Sequence, residues 1–147
     1  MPIEPMRRAW MEVDCGALRQ NYTAVTQRIP AGCRMLPMVK ADAYGTGASL
    51  AVRALGPLGP HGFGVATLEE ALAVRADGWT GPVVVFTPTL PADLDELIAA
   101  GGEPVVAGLE GLRACAEAGR GAGGPLAVHL EIDTGMGRFG FAWDAPG

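Results

Sequence analysis

Two short segments of the chain combine reactive side chains with glycine, and the first surrounds a lysine. Met38–Gly47 (MVKADAYGTG) places Lys40 directly after an apolar run and Tyr44 four residues later. Lysine is costly to bury without a partner, so Lys40 is either an ordinary surface charge or a reactive amine. A lysine partly removed from water more readily presents a neutral amine, which attacks a carbonyl in Schiff-base chemistry. Tyr44 then offers a hydroxyl to a phosphate or a carboxylate.

The second segment, Asp133–Gly140 (DTGMGRFG), places Arg138 among three glycines. Their G-x-G-x-x-G spacing is that of a dinucleotide-binding loop, which requires a helix directly afterwards and an acidic residue about 20 positions further on. The residues 143–146 (WDAP) break such a helix. The alternative, which the sequence favours, is a turn capped by Asp133 that presents the guanidinium of Arg138 to a carboxylate or phenolate oxygen.

Strand and helix patterns alternate along the chain, which predicts a parallel sheet with helices packed outside it. The predicted strands are continuous apolar runs, typical of strands covered on both faces, at about 34–39, 63–66, 83–86, 104–107 and 126–132. Helices are predicted at about 17–29, 48–55, 67–75, 92–100 and 109–118. A closed eight-stranded βα barrel and an open doubly wound sheet both fit this alternation, and five strands are too few to close a barrel.

Two details of the helices and strand ends bear on the site. The first helix has an apolar stripe of Leu18, Tyr22, Val25 and Ile29, and the third opens on a T-x-x-E capping box from Thr67 to Glu70. Parallel βα folds carry their chemistry at the carboxyl ends of the strands. Lys40 and Arg138 follow the first and the fifth predicted strands, so both are expected on the same rim of the sheet.

The composition bounds the class of protein. A length of 147 residues suits one domain, and 49% hydrophobic against 18% charged residues is typical of a folded core. The net charge of -5 argues against general nucleic-acid binding, and no apolar run reaches the roughly 18 residues of a membrane helix. The N-terminus does not read as a signal peptide. Three scattered cysteines and two histidines predict buried, reduced thiols in a cytosolic protein and structural roles for His61 and His129.

The segments VKADAYGTG and LEIDTGMGRFG resemble the two N-terminal signatures of the alanine racemase family. MEVDCGALRQNY and GVATLEEALAVRADG are supporting matches, in order and at sensible spacing. The resemblance implies a TIM-type parallel (β/α)8 barrel that binds pyridoxal 5'-phosphate (PLP), followed by a mostly β C-terminal domain. Residues 1–147 are then an incomplete N-terminal PLP-binding barrel domain of about five βα units, without the C-terminal domain.

The resemblance also implies an activity and the residues that carry it. The family's enzymes are homodimers that interconvert L- and D-alanine for peptidoglycan, and we expect this one in the cytoplasm. Lys40 matches the lysine that holds PLP as an internal aldimine and serves as one of two bases. Tyr44 matches the tyrosine that hydrogen-bonds the cofactor phosphate. Arg138 matches the arginine near the cofactor phenolic oxygen and the substrate carboxylate, and the second base is a tyrosine from the C-terminal domain of the partner subunit.

The chain departs from the family pattern in ways that leave alternatives open. Thr46 replaces a histidine usual in the family's loop, which changes how that loop is held. Glu131 stands where many members carry a lysine whose carbamate orients the arginine, so Glu131 either supplies a carboxylate directly or is a solvent-facing strand residue. Without the C-terminal domain and later strands, we expect the chain alone to be a poor or inactive racemase, with an unpaired edge on its fifth strand.

Two other functions are alternatives to the racemase interpretation. One is a non-catalytic, single-domain PLP-binding protein that handles the cofactor without turnover, and the other is a remnant that binds nothing. The substrate is alanine by resemblance, with serine or a broader range of amino acids left open.

Overall fold

The computed structural model describes residues 9–144, which form right-handed helices alternating with short strands. The α-helices of this part of the chain are α1 Cys15–Thr26, α2 Ala48–Leu55, α3 Leu68–Ala76, α4 Leu94–Ala99 and α5 Leu109–Gly121. The strands are β1 Phe63–Val65, β2 Val83–Val85, β3 Gly102–Val106, β4 His129–Leu130, β5 Ile132–Asp133 and β6 Phe141–Ala142. None of the helices described is long and apolar enough to cross a membrane.

The strands β1 to β4 form one parallel sheet in chain order. Parallel crossovers are right-handed, so a sheet without a reversal of strand order carries its helices on one face. A doubly wound sheet instead reverses its order at a switch point. The predicted parallel α/β class is confirmed, and the winding is that of the barrel alternative, although the described strands form an open sheet and do not close.

The segment before Lys40 extends this sheet next to β1. Met38 bridges Gly64 in parallel, the Val39 N–H donates to the Gly64 carbonyl at 2.8 Å, and the Gly64 N–H donates to the Pro37 carbonyl at 2.9 Å. The predicted strand at 34–39 is therefore present as a paired extended segment, with regular bridging confined to Met38. It places Lys40 at the end of the first extended segment of the sheet.

The predicted strand at 126–132 is wrong as a continuous element. At Glu131 the chain changes partner, because the Glu131 N–H donates to Val106 of β3 at 3.0 Å while its carbonyl accepts from Phe141 of β6 at 2.8 Å. The result is the two short strands β4 and β5. The expected free edge is also wrong at the carboxyl end of this strand, because β6 pairs with β5 in parallel.

The main core lies between the sheet and the helices. Phe63, Val65, Val83 and Leu97 are fully buried there, and Leu18 and Tyr22 of α1 cover the core's edge. Partial burial raises the pKa of the Tyr22 phenol. Val25, which the sequence placed on the same stripe, is exposed, because α1 packs on α2 and ends at Thr26.

A smaller core forms around β3 and α5. Leu94, Val106 and Cys115 are buried together, and burial raises the pKa of the Cys115 thiol. All three cysteines are free thiols. The prediction of buried thiols is confirmed for Cys115 and wrong for Cys33, which is exposed, while Cys15 is half-buried.

One arginine ties α3 to two loops beside the main core. The Arg75 guanidinium donates to the carbonyls of Trp79 at 2.9 Å, Gly81 at 2.6 Å, Ala100 at 2.8 Å and Gly101 at 2.8 Å. Two of these acceptors, Ala100 and Gly101, directly follow α4, so a single side chain caps that helix and closes the turn before β2. Burial lowers the pKa of Arg75, and the nearby Glu103 opposes that effect.

Replacing this arginine tests the importance of the carbonyl cluster. We expect Arg75→Ala to lower the free energy of unfolding by about 2–3 kcal/mol, because several part-buried carbonyls lose their donor. Urea denaturation followed by circular dichroism measures it. Arg53→Ala, on α2, is the control: its side chain is largely exposed beside Asp77, so its loss is expected to cost less than about 1 kcal/mol. Equal losses in the two variants would contradict the prediction.

Candidate active site

Lys40 begins a short turn at the carboxyl end of the extended segment that pairs with β1. Its side chain is half-buried. The carboxyl ends of parallel strands share one rim, so Lys40 lies beside Ala66, which directly follows β1. The predicted strand-end position of the lysine is therefore present in the structure.

The turn after Lys40 is left-handed. Ala41, Asp42, Ala43 and Tyr44 have φ values of 50°, 54°, 51° and 57°, with ψ between 37° and 48°. This conformation costs an L-residue about 1–2 kcal/mol, so four in succession store several kcal/mol of strain. The sequence predicted only a glycine-rich turn, and of these four residues Asp42 alone is of a type that tolerates the left-handed region. The strain therefore requires compensating contacts.

Hydrogen bonds within the turn supply part of that compensation. The Ala43 N–H donates to the Val39 carbonyl at 2.9 Å, and the Thr46 hydroxyl donates to the Ala43 carbonyl at 2.6 Å. An Asp42 carboxylate oxygen accepts from the Ala48 N–H at 2.7 Å, at the start of α2. Thr46 thus closes the turn on itself through its hydroxyl.

Glu70 holds the turn from outside. One of its carboxylate oxygens accepts from the Ala41 N–H at 2.7 Å, and the other accepts from the Ala66 N–H at 2.7 Å. The predicted capping box is confirmed in one half only, since Thr67 Oγ1 accepts from the Glu70 N–H at 3.3 Å while the Glu70 carboxylate bonds elsewhere. Sequence reasoning missed this role, although the T-x-x-E spacing was the signal for it.

Tyr44 ends the left-handed residues with its side chain 65% exposed. Its position four residues after Lys40 on the same rigid turn fixes the phenol's attachment point relative to the amine. An exposed phenol on the rim is accessible to a ligand without moving the backbone.

Arg138 lies in the loop between β5 and β6. The Asp133 carboxylate accepts from the N–H groups of Gly137 at 3.0 Å and Gly135 at 2.9 Å, which confirms that Asp133 caps this turn. These bonds, that from Gly137 foremost, lower the pKa of the Asp133 carboxyl. Gly140 has φ 111°, and a Cβ there would lie 2.7 Å from the Asp133 nitrogen. The strand β6 follows where a dinucleotide-binding loop requires a helix, so that alternative is wrong.

The Arg138 side chain is exposed, and its guanidinium carbon lies 5.7 Å from the centre of the Phe139 ring. One carboxylate oxygen of Glu131 is buried and accepts no hydrogen bond from the described residues. Neither residue takes part in the Arg53–Asp77 ion pair or in the contact between Glu103 and His129, which are the contacts of opposite charge type among the described residues. The hypothesis that Glu131 orients Arg138 therefore stays a prediction, without a contact to support it.

The three predicted residues all follow strand ends, but no described hydrogen bond or ion pair joins Arg138 to Lys40 or Tyr44, so their convergence on one site stays a prediction. Lys40 and Tyr44 share one turn, whereas Arg138 stands at the end of the last strand pair, and no ion pair joins them among residues 9–144. An amine, a phenol and a guanidinium together match a carbonyl compound that also carries anionic oxygens. The described residues contain no cluster of His, Cys, Asp and Glu that would hold a metal ion.

Comparison with known proteins identifies the family to which the sequence signatures point. The profile of the family described as "Alanine racemase, N-terminal domain" matches residues 13–146. The alanine racemase of Geobacter sulfurreducens is 40% identical over 129 residues, which cover 88% of this chain and 34% of that protein. The chain therefore spans about a third of the length of the curated relatives it matches.

Solved structures resemble the fold closely. The crystal structure of alanine racemase from E. faecalis has a TM-score of 0.82 at 36% identity, covering 88% of this chain and 35% of that one. A histidine racemase from Leuconostoc mesenteroides also reaches 0.82, at 28% identity over 93% of this chain and 37% of its own.

The strain of the left-handed turn predicts an unusual response to glycine. We expect Ala41→Gly to raise the free energy of unfolding by about 1 kcal/mol, because glycine adopts this conformation without steric cost. The variant also keeps the backbone N–H that donates to the Glu70 carboxylate. Ala73→Gly, in the exposed interior of α3, is expected to lower it by about 0.5–1 kcal/mol. Urea denaturation of both variants measures the difference, and a loss of stability in Ala41→Gly would contradict the strain.

The capped arginine loop predicts a response to acid. Because the folded-state pKa of Asp133 is below its ordinary value, its carboxylate stabilises the loop at any pH above that ordinary value. The contribution is lost as the pH falls through the lower, folded-state pKa. We expect the amide resonances of Gly135 and Gly137 to titrate below the usual aspartate range, and Asp133→Asn to abolish that transition. A titration midpoint of these amide resonances at or above the ordinary pKa of aspartate would contradict the prediction.

Proposed function

Because the chain belongs to the alanine racemase N-terminal domain family, we propose that it is the cofactor-binding part of a PLP-dependent amino-acid racemase. The observation that carries the proposal is the half-buried Lys40 on a strained, hydrogen-bonded turn at a strand end. The relatives are about three times as long, and the strands of the described sheet follow one another without reversal. We infer that residues 1–147 are the start of a (β/α)8 barrel domain, followed in the whole enzyme by a C-terminal domain.

The residues on the rim fit PLP by their chemistry. The cofactor has an aldehyde, a phosphate and a phenolic oxygen, and the rim offers the Lys40 amine, the Tyr44 hydroxyl and the Arg138 guanidinium. Lys40 would bind the aldehyde carbon, Tyr44 the phosphate, and Arg138 the phenolic oxygen. When bound, PLP supplies an electron sink that makes the α-proton of an attached amino acid acidic.

Lys40 and Arg138 then have different roles toward the substrate. Lys40 Nζ holds or moves a proton at the substrate α-carbon from one face, and Arg138 orients the substrate carboxylate. Inversion requires a second base on the opposite face. By resemblance that base is a tyrosine of the C-terminal domain in the partner subunit of a homodimer. We therefore infer that residues 1–147 alone hold the cofactor with little or no racemisation.

Alanine is the proposed substrate, because the curated relatives are alanine racemases. The solved structure of similar fold that is named a histidine racemase supports keeping a broader range of amino acids as the alternative. The free thiols of the three cysteines support a reducing compartment, which we propose is the cytoplasm.

The proposal is testable at one side chain, because Lys40 is the only lysine in the sequence. Incubation with stoichiometric PLP, borohydride reduction and peptide mapping is expected to place the pyridoxyl group on Lys40. Lys40→Ala is expected to abolish this labelling and the visible absorbance of the PLP–lysine adduct.

A displaced lysine provides the matched control. Arg113, on the exposed side of α5, becomes a second amine in the Lys40→Ala, Arg113→Lys double variant. We expect no stable adduct there, since a solvated ammonium lacks the strand-end position. Labelling of the double variant at the level of the parent chain would show that any lysine suffices and would refute the proposed site. Incubation of the parent with L-alanine is expected to yield no D-alanine at enzymatic rates.

A further inference from the structure

The Glu70 carboxylate forms the one side-chain contact from another element to the left-handed turn's backbone among the described hydrogen bonds. A glutamate at this position of a capping box ordinarily returns to the N–H of the helix cap, here Thr67. Instead its two oxygens divide between Ala41 and Ala66, each at 2.7 Å. The side chain thus links the ends of two neighbouring extended segments, as well as the start of α3.

The Ala41 N–H belongs to the peptide unit whose carbonyl is that of Lys40. A bond to this N–H therefore fixes the orientation of the peptide plane that leaves Lys40, and with it the ψ angle of the lysine. The second bond, from Ala66, anchors the same carboxylate to β1, which packs on the main core. The path from core to lysine is β1, Ala66, Glu70 and Ala41.

We propose that Glu70 is the positioning residue of Lys40: its carboxylate locks the peptide plane after the lysine and so aims the amine at the cofactor. This inference rests on the proposed function for the cofactor, and its structural part is independent of it. Glu70 does not touch the reacting atoms, and it acts only through the backbone of the turn.

The chemistry of the bridge requires a carboxylate and not merely a side chain of this size. Both oxygens of a carboxylate accept hydrogen bonds, whereas a glutamine has one accepting oxygen and a donating NH₂ group. In Glu70→Gln one of the two backbone N–H groups would therefore face a donor. Glu69, the neighbouring residue on the exposed side of α3, makes none of the described hydrogen bonds to the turn, so Glu69→Gln removes the same charge and leaves both bonds of the bridge in place.

The experiment combines amide exchange with cofactor titration on the full 147-residue chain. In the absence of PLP, we expect Glu70→Gln to speed hydrogen exchange at Ala41 and Ala66 at least tenfold, while Val84 in β2 keeps its protection. With PLP, the dissociation constant of the visible adduct is expected to rise at least tenfold in Glu70→Gln, and its pH profile to shift. Glu69→Gln is expected to match the parent chain in both measurements.

The outcomes separate the inference from the function on which it rests. If the parent chain forms the adduct and Glu70→Gln forms it with unchanged affinity, the inference is overturned while the proposed function stands. If the parent forms no adduct, the proposed function fails, and unchanged exchange at Ala41 would overturn the structural part as well. Circular dichroism checks that the Glu70→Gln variant is folded. Should Glu70→Gln unfold, Glu70→Asp, which retains the charge on a shorter stem, replaces it in both measurements with the same expected losses.

Discussion

The geometry of the candidate site depends on a backbone constraint, the left-handed turn that follows Lys40. Four non-glycine residues in this conformation are unfavourable by themselves, so the turn exists only because its surroundings determine it. Those surroundings are the parallel pairing of Met38 with Gly64, the Thr46 hydroxyl, and the Glu70 carboxylate. The pairing and the Glu70 carboxylate connect the turn to β1, which packs in the main core, whereas the Thr46 hydroxyl closes the turn on itself. The strain thus marks a position at which the fold maintains one backbone geometry against local preference.

The two strand-end segments both contain residues with positive φ angles, and they are stabilised in opposite ways. At Lys40 the chain keeps side chains on the left-handed residues and uses external contacts to stabilise them. At the arginine loop, glycine occupies the positive-φ positions, so the turn costs little, and the internal Asp133 cap suffices. The lysine turn is consequently rigid through tertiary contacts, whereas the arginine loop is ordered chiefly by its own sequence.

Sequence patterns predicted the parallel α/β class and the three central strands, because those strands are fully buried and their apolar runs carry the information. The helix at Ala48–Leu55 has the expected bounds. The patterns missed the division of 126–132. The change of hydrogen-bond partner at Glu131 involves residues that are distant in the sequence, so the local residue composition carries no signal for it. They also missed the left-handed turn and the bridging role of Glu70. A T-x-x-E spacing reads as a helix cap, and only the three-dimensional placement of two strand ends redirects its carboxylate.

The packing beneath the two segments differs, which bears on how each holds its side chain. Lys40 stands over the main core, where Phe63 and Val65 of β1 are fully buried. Arg138 follows β4 and β5, whose outward residues Leu130 and Ile132 are 57% and 50% exposed. The smaller core has three buried members, among the described residues, to support that end of the sheet. Burial of apolar area is the main source of fold stability, so the backbone is held more firmly at the lysine than at the arginine. In the proposed function, covalent capture of an aldehyde would depend on the first of these positions, and orientation of a substrate carboxylate on the second. On the proposed function, the packing of the described residues therefore favours cofactor binding at Lys40 over substrate alignment at Arg138.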